Sequence, residues 1–234
     1  YAKIRLFLMV EGIEEIIENY TKKTNSTGTK LSTLYCAVKV IKKYKPKILL
    51  ESGTGTSTII LAETLKQLIK KDPDYKPKLI CMESIPDWYE MAVKLLPEEY
   101  KDIVEIRLGK REKYEYAMFR GYSHSNIPLQ NYDFVFLDGP NYNDEKGSSS
   151  CLDAIKARMI SNVKTLNGVI DTRVSSVFVM QTIFGLNSIR YSNLKRTCSF
   201  SLNQIKLVPK IGSSSFNYSP QGGVKLNEKK LLKN

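Results

Sequence analysis

One stretch of this chain brings an acidic side chain, two glycines and several hydroxyl groups close together. Its residues are Glu51, Gly53, Thr54, Gly55, Thr56 and Ser57. Glycines let backbone N–H groups approach a ligand closely, and a helix that begins after them carries partial positive charge at its N-terminus. The stretch therefore predicts a binding site for a nucleotide-like cofactor. The alternative is an ordinary turn between a strand and a helix.

The charge of this stretch indicates which kind of ligand it favours. Glu51 ends an apolar run, where it would repel a pyrophosphate but would suit a ligand with a cationic head. A dinucleotide-binding turn also needs a third small residue for close packing, and Thr58 stands at that position. We therefore expect a cationic cofactor. A nicotinamide-dependent oxidoreductase is the alternative that the glycines suggest.

A second carboxylate, Glu83, ends the next predicted strand. At the tip of a neighbouring strand it can accept hydrogen bonds from both ribose hydroxyls of an adenosine. Ser84 and Ile85 follow it directly, and Gly109 comes after the third strand. The alternative is a strand-end carboxylate exposed to water.

Asp138 is the candidate catalytic residue, because it ends the fourth predicted strand at the edge of the sheet where ligands bind. It would orient the cofactor, bind the second substrate (the acceptor of the transferred group) or act as general base. The alternative is that it only supports the turn that follows. His124, the one histidine, lies in a polar segment before that strand. We expect it at the opposite, amino edge of the sheet and exposed to solvent.

Strands and helices alternate along the chain, which predicts an α/β fold with a doubly wound, mostly parallel sheet. The predicted strands are 47–51, 78–83, 103–108, 132–138 and 168–171, and the predicted helices are 11–20, 32–43, 59–69, 88–96, 150–163 and 177–184. Two β-rich runs, 188–191 and 197–208, predict a terminal antiparallel pair. We divide the chain into an N-terminal helical extension (1–45), a cofactor-binding domain (46–211) and a basic tail (212–234).

Composition sets limits on partners and location. The net charge of +12 comes mostly from lysines spread along the chain, so we favour a solvated surface over a nucleic-acid site, while RNA stays an alternative. No apolar run reaches the roughly 18 residues of a membrane span. The four cysteines are far apart and form no C-x-x-C pair, and we expect Cys36 and Cys81 to be buried thiols. This indicates a reduced, cytoplasmic setting.

Five segments, 50–57, 81–85, 108–109, 132–140 and 166–171, resemble class I S-adenosylmethionine-dependent methyltransferases across roughly residues 30–175. The resemblance implies a Rossmann-like, seven-stranded sheet with a reversed last strand, and S-adenosylmethionine as the cofactor. It assigns the cofactor's amino-acid end to Glu51, Gly53, Gly55 and Ser57, with backbone donors from Thr54 and Thr56, and the ribose to Glu83. It also implies that Ser84 and Ile85 lie along the adenine and that Gly109 borders the base's amino edge.

Asp138 and Asp171 also resemble the Mg²⁺ site of catechol-type O-methyltransferases, in which the metal lowers the pKa of an acceptor hydroxyl. Thr172 stands where that pattern has Asn, so we expect no metal and treat Mg²⁺ as possible only. The leading interpretation is O-methylation of a small-molecule or glycan hydroxyl. The alternatives are an RNA methyltransferase, the oxidoreductase named above, and a non-catalytic domain that keeps the fold.

Overall fold

The computed structural model describes residues 2–24, 29–139, 143–144, 147–148, 150–171, 173–192 and 197–204. The predicted basic tail at 212–234 lies outside them. The helices are α1 (Ala2–Val10), α2 (Ile13–Thr21), α3 (Leu31–Tyr44), α4 (Thr56–Lys71), α5 (Pro86–Leu95), α6 (Asp153–Ile160) and α7 (Val174–Phe184). The strands are β1 (Ile48–Ser52), β2 (Lys78–Glu83), β3 (Val104–Leu108), β4 (Arg111–Tyr116), β5 (Phe119–His124), β6 (Phe134–Leu137), β7 (Asn143–Asp144), β8 (Gly147–Ser148), β9 (Ser150–Cys151), β10 (Thr165–Ile170), β11 (Ile189–Ser192) and β12 (Thr197–Asn203).

Seven strands form the main sheet, in the order β11-β12-β10-β6-β1-β2-β3. The pairs from β10 through β6, β1 and β2 to β3 are parallel, whereas β12 runs antiparallel to both β10 and β11. The predicted α/β class is therefore confirmed, including the mostly parallel Rossmann-like sheet, the reversed last strand and the antiparallel C-terminal pair. The carboxyl ends of β1, β2, β6 and β10 all point to one edge of the sheet.

Each central strand is buried on both faces, as expected for a parallel sheet covered by helices. Leu49 and Phe134 pack into the core beneath α1 to α4, while the next residues along each strand, Leu50 and Val135, pack beneath α6 and α7. This alternation decides where each strand-end residue points. Glu51 continues the row of Leu49, and Ser52 continues the row of Leu50.

The N-terminal helices belong to the same core as the sheet. Leu8 of α1, Ile13 of α2 and Leu34 of α3 are fully or almost fully buried and join the cluster that contains Leu49. The two predicted N-terminal helices correspond to α2 and α3, and α1 precedes them. The helical extension is confirmed, whereas the domain boundary at residue 45 stays a prediction.

A β-hairpin was missed between β3 and β6. β4 and β5 pair antiparallel across the two-residue loop of Ala117 and Met118, and β9 adds a third strand. The loop contains neither Asn nor Gly, although Ala117 has a positive φ of 53°, so the usual hairpin signal is absent. β4 is mostly exposed and rich in charged residues, so its sequence lacks the alternation of apolar and polar residues that usually predicts a strand.

Two predictions about thiols and membranes can be compared with the structure. None of the four cysteines forms a disulfide; Cys81, Cys151 and Cys198 are buried, whereas Cys36, which was expected to be buried, is only half-buried. The cytoplasmic setting stays a prediction. Among the described residues, every helix is too short or too polar to cross a bilayer.

Gly168 in β10 is the position where a single methyl group should disturb the sheet most. A Cβ there would lie 2.2 Å from Phe200 Cζ and 2.3 Å from the backbone oxygen of Val135, and the latter cannot move aside cheaply. We expect Gly168→Ala to lower the free energy of unfolding by at least about 2 kcal/mol. Urea denaturation measures this loss. The control is Ser201→Ala on the paired strand, which should change stability by less than about 0.5 kcal/mol; equal effects would contradict the packing argument.

Candidate functional site

The turns after β1 and β6 cross each other at the carboxyl edge of the sheet. The N–H of Asp138 donates to the carbonyl of Ser52 at 2.9 Å. A Cβ on Gly139 would lie 2.9 Å from the Cα of Gly53, and Gly53 itself has a φ of 93°. Only glycine fits at this crossing, so the two turns are held at a fixed distance from one another.

The backbone donors of the glycine turn are already used inside the protein. The N–H of Gly53 donates to the carbonyl of Met82 at 2.8 Å, and that of Gly55 donates to Thr58 Oγ1 at 3.1 Å. The N–H of Thr54 donates to Glu83 Oε2 at 3.1 Å. A phosphate would therefore meet three occupied donors and a carboxylate.

Glu83 ties the glycine turn to the tip of β2. Its Oε2 also accepts the hydroxyl of Thr54 at 2.8 Å, and its Oε1 accepts the N–H groups of Ser84 at 2.7 Å and Ile85 at 3.0 Å. The residue is only 8% exposed. Because four donors converge on one carboxylate, Glu83 and the turn form a single preorganised unit.

Two apolar side chains beside Glu83 are exposed. Ile85 after β2 is 46% exposed, and Leu108 at the end of β3 is 44% exposed. Leu108 is the register partner of Glu83. Gly109 donates its N–H to the carbonyl of Glu83 at 2.8 Å and is buried against the carbonyl of Ser125. The predicted adenine border is thus an apolar surface next to the Glu83 carboxylate.

Glu51 is fully buried and points toward the first turn of α4. Its Oε2 accepts the hydroxyl of Thr58 at 2.7 Å, while its Oε1 makes no hydrogen bond with any described residue. Burial raises the pKa of Glu51 to about 7, although Cys81 and the hydroxyls of Ser57 and Thr58 oppose the shift. Thr56 and Ser57 begin α4 and are buried with it.

Asp138, after β6, and Asp171, after β10, share one cationic partner. Arg173 Nη2 lies 3.9 Å from Asp138 Oδ1, and its Nε lies 3.3 Å from Asp171 Oδ1. Thr29, from the segment before α3, donates its hydroxyl to Asp138 Oδ2 at 2.7 Å. Burial raises the pKa of both aspartates above its ordinary value, and the positive charges of Arg173 and Lys30 oppose this shift only in part. With side chains 31% and 23% exposed, Asp138 and Asp171 are accessible to a ligand.

This arrangement bears on the predicted absence of a metal. The described residues contain no group of three or more His, Cys, Asp or Glu side chains placed to hold an ion. The guanidinium of Arg173 contacts the same two carboxylates that would have to bind a divalent cation. Thr172, the departure from the metal pattern, lies outside the described residues.

The prediction of an exposed histidine at the amino edge is wrong. His124 is fully buried, and its Nδ1 lies 2.6 Å from Asp153 Oδ2. Pairing of β5 with β4, which starts just after β3, brings His124 to the carboxyl edge. Asp153 also accepts the hydroxyls of Ser52 and Ser123. These contacts hold the pKa of Asp153 below its usual value despite burial.

Sequence reasoning missed this network because its members come from four separate elements. Ser52 ends β1, Ser123 and His124 end β5, Cys151 belongs to β9, and Asp153 begins α6. The Cys151 thiol donates to the carbonyl of Gly139 at 2.8 Å. The sequence offered one signal, an aspartate at the start of a predicted helix, which is also common for capping alone.

The chain matches no family model and no curated protein by sequence. Among solved structures, it is similar in fold to a SAM dependent methyltransferase from Aquifex aeolicus, with a TM-score of 0.41 and 15% sequence identity. The alignment covers 71% of this chain and 88% of that chain. A similarity of this size does not indicate an activity for this chain.

The buried acid Glu51 should give stability a distinct dependence on pH. Its ordinary pKa is 4.5 and its folded pKa is about 7. Between these values the unfolded chain has lost the proton while the folded chain retains it, so stability falls as pH rises. We expect wild type to lose about 3 kcal/mol relative to Glu51→Gln across this window. Denaturation of both proteins from pH 4 to 8 measures the difference, and a constant difference would contradict the assignment.

Proposed function

We propose that this protein is an S-adenosylmethionine-dependent methyltransferase. The observation that carries the proposal is the Thr54 N–H bound to the Glu83 carboxylate at 3.1 Å. This bond occupies a backbone donor that a phosphate would need, and it places the negative charge of Glu83 at that position. A turn of this kind favours a cofactor that is cationic and free of phosphate, which agrees with the resemblance in the sequence motifs.

The residues present fit such a cofactor at three points. The buried Oε1 of Glu51 makes no hydrogen bond with a described residue and could accept one from the cofactor's ammonium group. Glu83 would accept hydrogen bonds from the ribose hydroxyls, in exchange for its bond to the Thr54 hydroxyl. Ile85 and Leu108 would contact the adenine through their exposed apolar surfaces.

Asp138 is the proposed general base. The bound cofactor supplies an electrophilic methyl group, and the transfer is an in-line displacement by the acceptor. The protein must hold the acceptor in line and remove its proton. Burial raises the pKa of Asp138 above its ordinary value, which makes its carboxylate a stronger base near neutral pH. The acceptor proton would pass to this carboxylate.

The surroundings of Asp138 favour a hydroxyl acceptor. Asp138 and Asp171 are both partly accessible, and carboxylates accept hydrogen bonds from hydroxyl groups. The Thr29 hydroxyl contacts the same side chain, so the segment before α3 borders the acceptor position. We therefore propose O-methylation of a small-molecule or glycan hydroxyl.

Cofactor binding tests the proposal directly. We expect S-adenosylhomocysteine to bind with micromolar-range affinity in a calorimetric titration, and Glu83→Ala to weaken it at least about tenfold, equivalent to about 1.4 kcal/mol. The physical reason is the loss of the ribose acceptor and of the anchor for the glycine turn.

The control is Asp72→Ala, which removes a carboxylate after α4, at the opposite edge of the sheet, and should leave binding unchanged. Saturable NAD(H) binding without S-adenosylhomocysteine binding would overturn the proposal. RNA binding that weakens steeply with added salt would instead favour an RNA acceptor. Cofactor binding without transfer to any hydroxyl compound would favour the non-catalytic alternative.

A further inference from the structure

Arg173 is a buried cation at the edge of the sheet where ligands are expected. Its side chain is only 8% exposed, and it precedes α7 by one residue. Burying a guanidinium is costly unless charges and hydrogen-bond acceptors compensate it. Asp138 and Asp171 provide the charges, and the backbone carbonyl of Asp138 accepts a hydrogen bond from Nη2.

Asp138 and Asp171 are stabilised by a nearby positive charge, just as Arg173 is stabilised by their negative charges. They end neighbouring parallel strands, and the charge of Asp138 disfavours ionisation of Asp171. Two carboxylates in one site tend to share a proton when no cation is present. Lys30, which also acts on both, is exposed and so is screened by water. Arg173 therefore supplies the main buried positive charge that offsets the negative charges of Asp138 and Asp171.

We propose that Arg173 is the built-in cation of this site, taking the electrostatic place that a divalent metal takes between two strand-end carboxylates, and that it is the positioning residue for Asp138. The guanidinium does this in two ways. Its charge keeps both carboxylates ionised, and its bond to the Asp138 carbonyl fixes the turn that carries the side chain. The inference stands on this geometry and not on the proposed methyl transfer.

The consequence is a difference in cation response between wild type and variants. With Arg173 in place, wild type should unfold at the same temperature in chelator and in millimolar Mg²⁺ or Mn²⁺. Arg173→Gln keeps a hydrogen-bond donor but removes the charge, so it should unfold at a lower temperature in chelator. Added Mn²⁺ should then raise its midpoint by roughly 2–4 °C, because the vacated pair can bind the ion.

Arg158 offers a matched control within the same chain. It is buried to a similar degree, at 4% exposure, but its Nη2 donates to the carbonyls of Ser161 and Val163 and not to carboxylates. Arg158→Gln should lose stability without gaining any response to cations. Arg173→Lys keeps the charge and should stay as insensitive to cations as wild type.

Three results would overturn the proposal. The first is stabilisation of wild type by Mg²⁺ or Mn²⁺ that Asp138→Asn abolishes. The second is a cation response of Arg173→Gln no larger than that of Arg158→Gln. The third is a response of Arg173→Lys as large as that of Arg173→Gln. If Arg173→Gln does not fold, stabilisation of Arg173→Lys by Mn²⁺ overturns the proposal, and the absence of that response supports it. None of these measurements depends on cofactor binding, so failure here and failure of the proposed function are distinguishable.

Discussion

The hydrogen bonds between the Glu83 carboxylate and the turn after β1 are the interaction on which the site depends. One oxygen accepts both the N–H and the hydroxyl of Thr54, and the other accepts the N–H groups of Ser84 and Ile85. Through these bonds the tips of two parallel strands become one rigid surface. The same bonds support the proposed ligand chemistry, since the turn presents negative charge where a phosphate-binding turn presents free N–H groups.

A second constraint acts from the other side of β1. Gly53 and Gly139 cross so closely that neither tolerates a side chain, and this holds Asp138 beside the glycine turn. Beneath the crossing, Ser52, Asp153 and His124 form a buried hydrogen-bonded network that joins β1 to the β4–β5 hairpin. Both oxygens of Asp153 are hydrogen-bonded in this network, whereas His124 Nε2 has no partner among the described residues. The hydrogen bonds of Asp153 therefore favour one arrangement of the turns.

Several carboxyl groups at this edge of the sheet are buried or partly buried. Among the described residues Glu51 has no cationic partner and its pKa is raised to about 7, whereas Asp138 and Asp171 have Arg173. These carboxyls therefore differ in what they can do. In the proposed function, Glu51 would gain from a cationic ligand, and Asp138 would receive a proton.

The sequence by itself determined the fold class, and it predicted where along the chain the candidate site lies. Apolar runs bounded by glycine and proline marked β1, β2, β6 and β10, and strand-end carboxylates in a parallel sheet must meet at one edge. Local pattern was sufficient there because burial on both faces leaves little choice of residue type. Only the tertiary structure decided how the carboxylates are partnered. Residues from distant elements, such as Arg173 against Asp138 and Asp153 against His124, carry no signal in their spacing. The hairpin that buries His124 was hidden as well, because its strands are solvated and its turn lacks glycine.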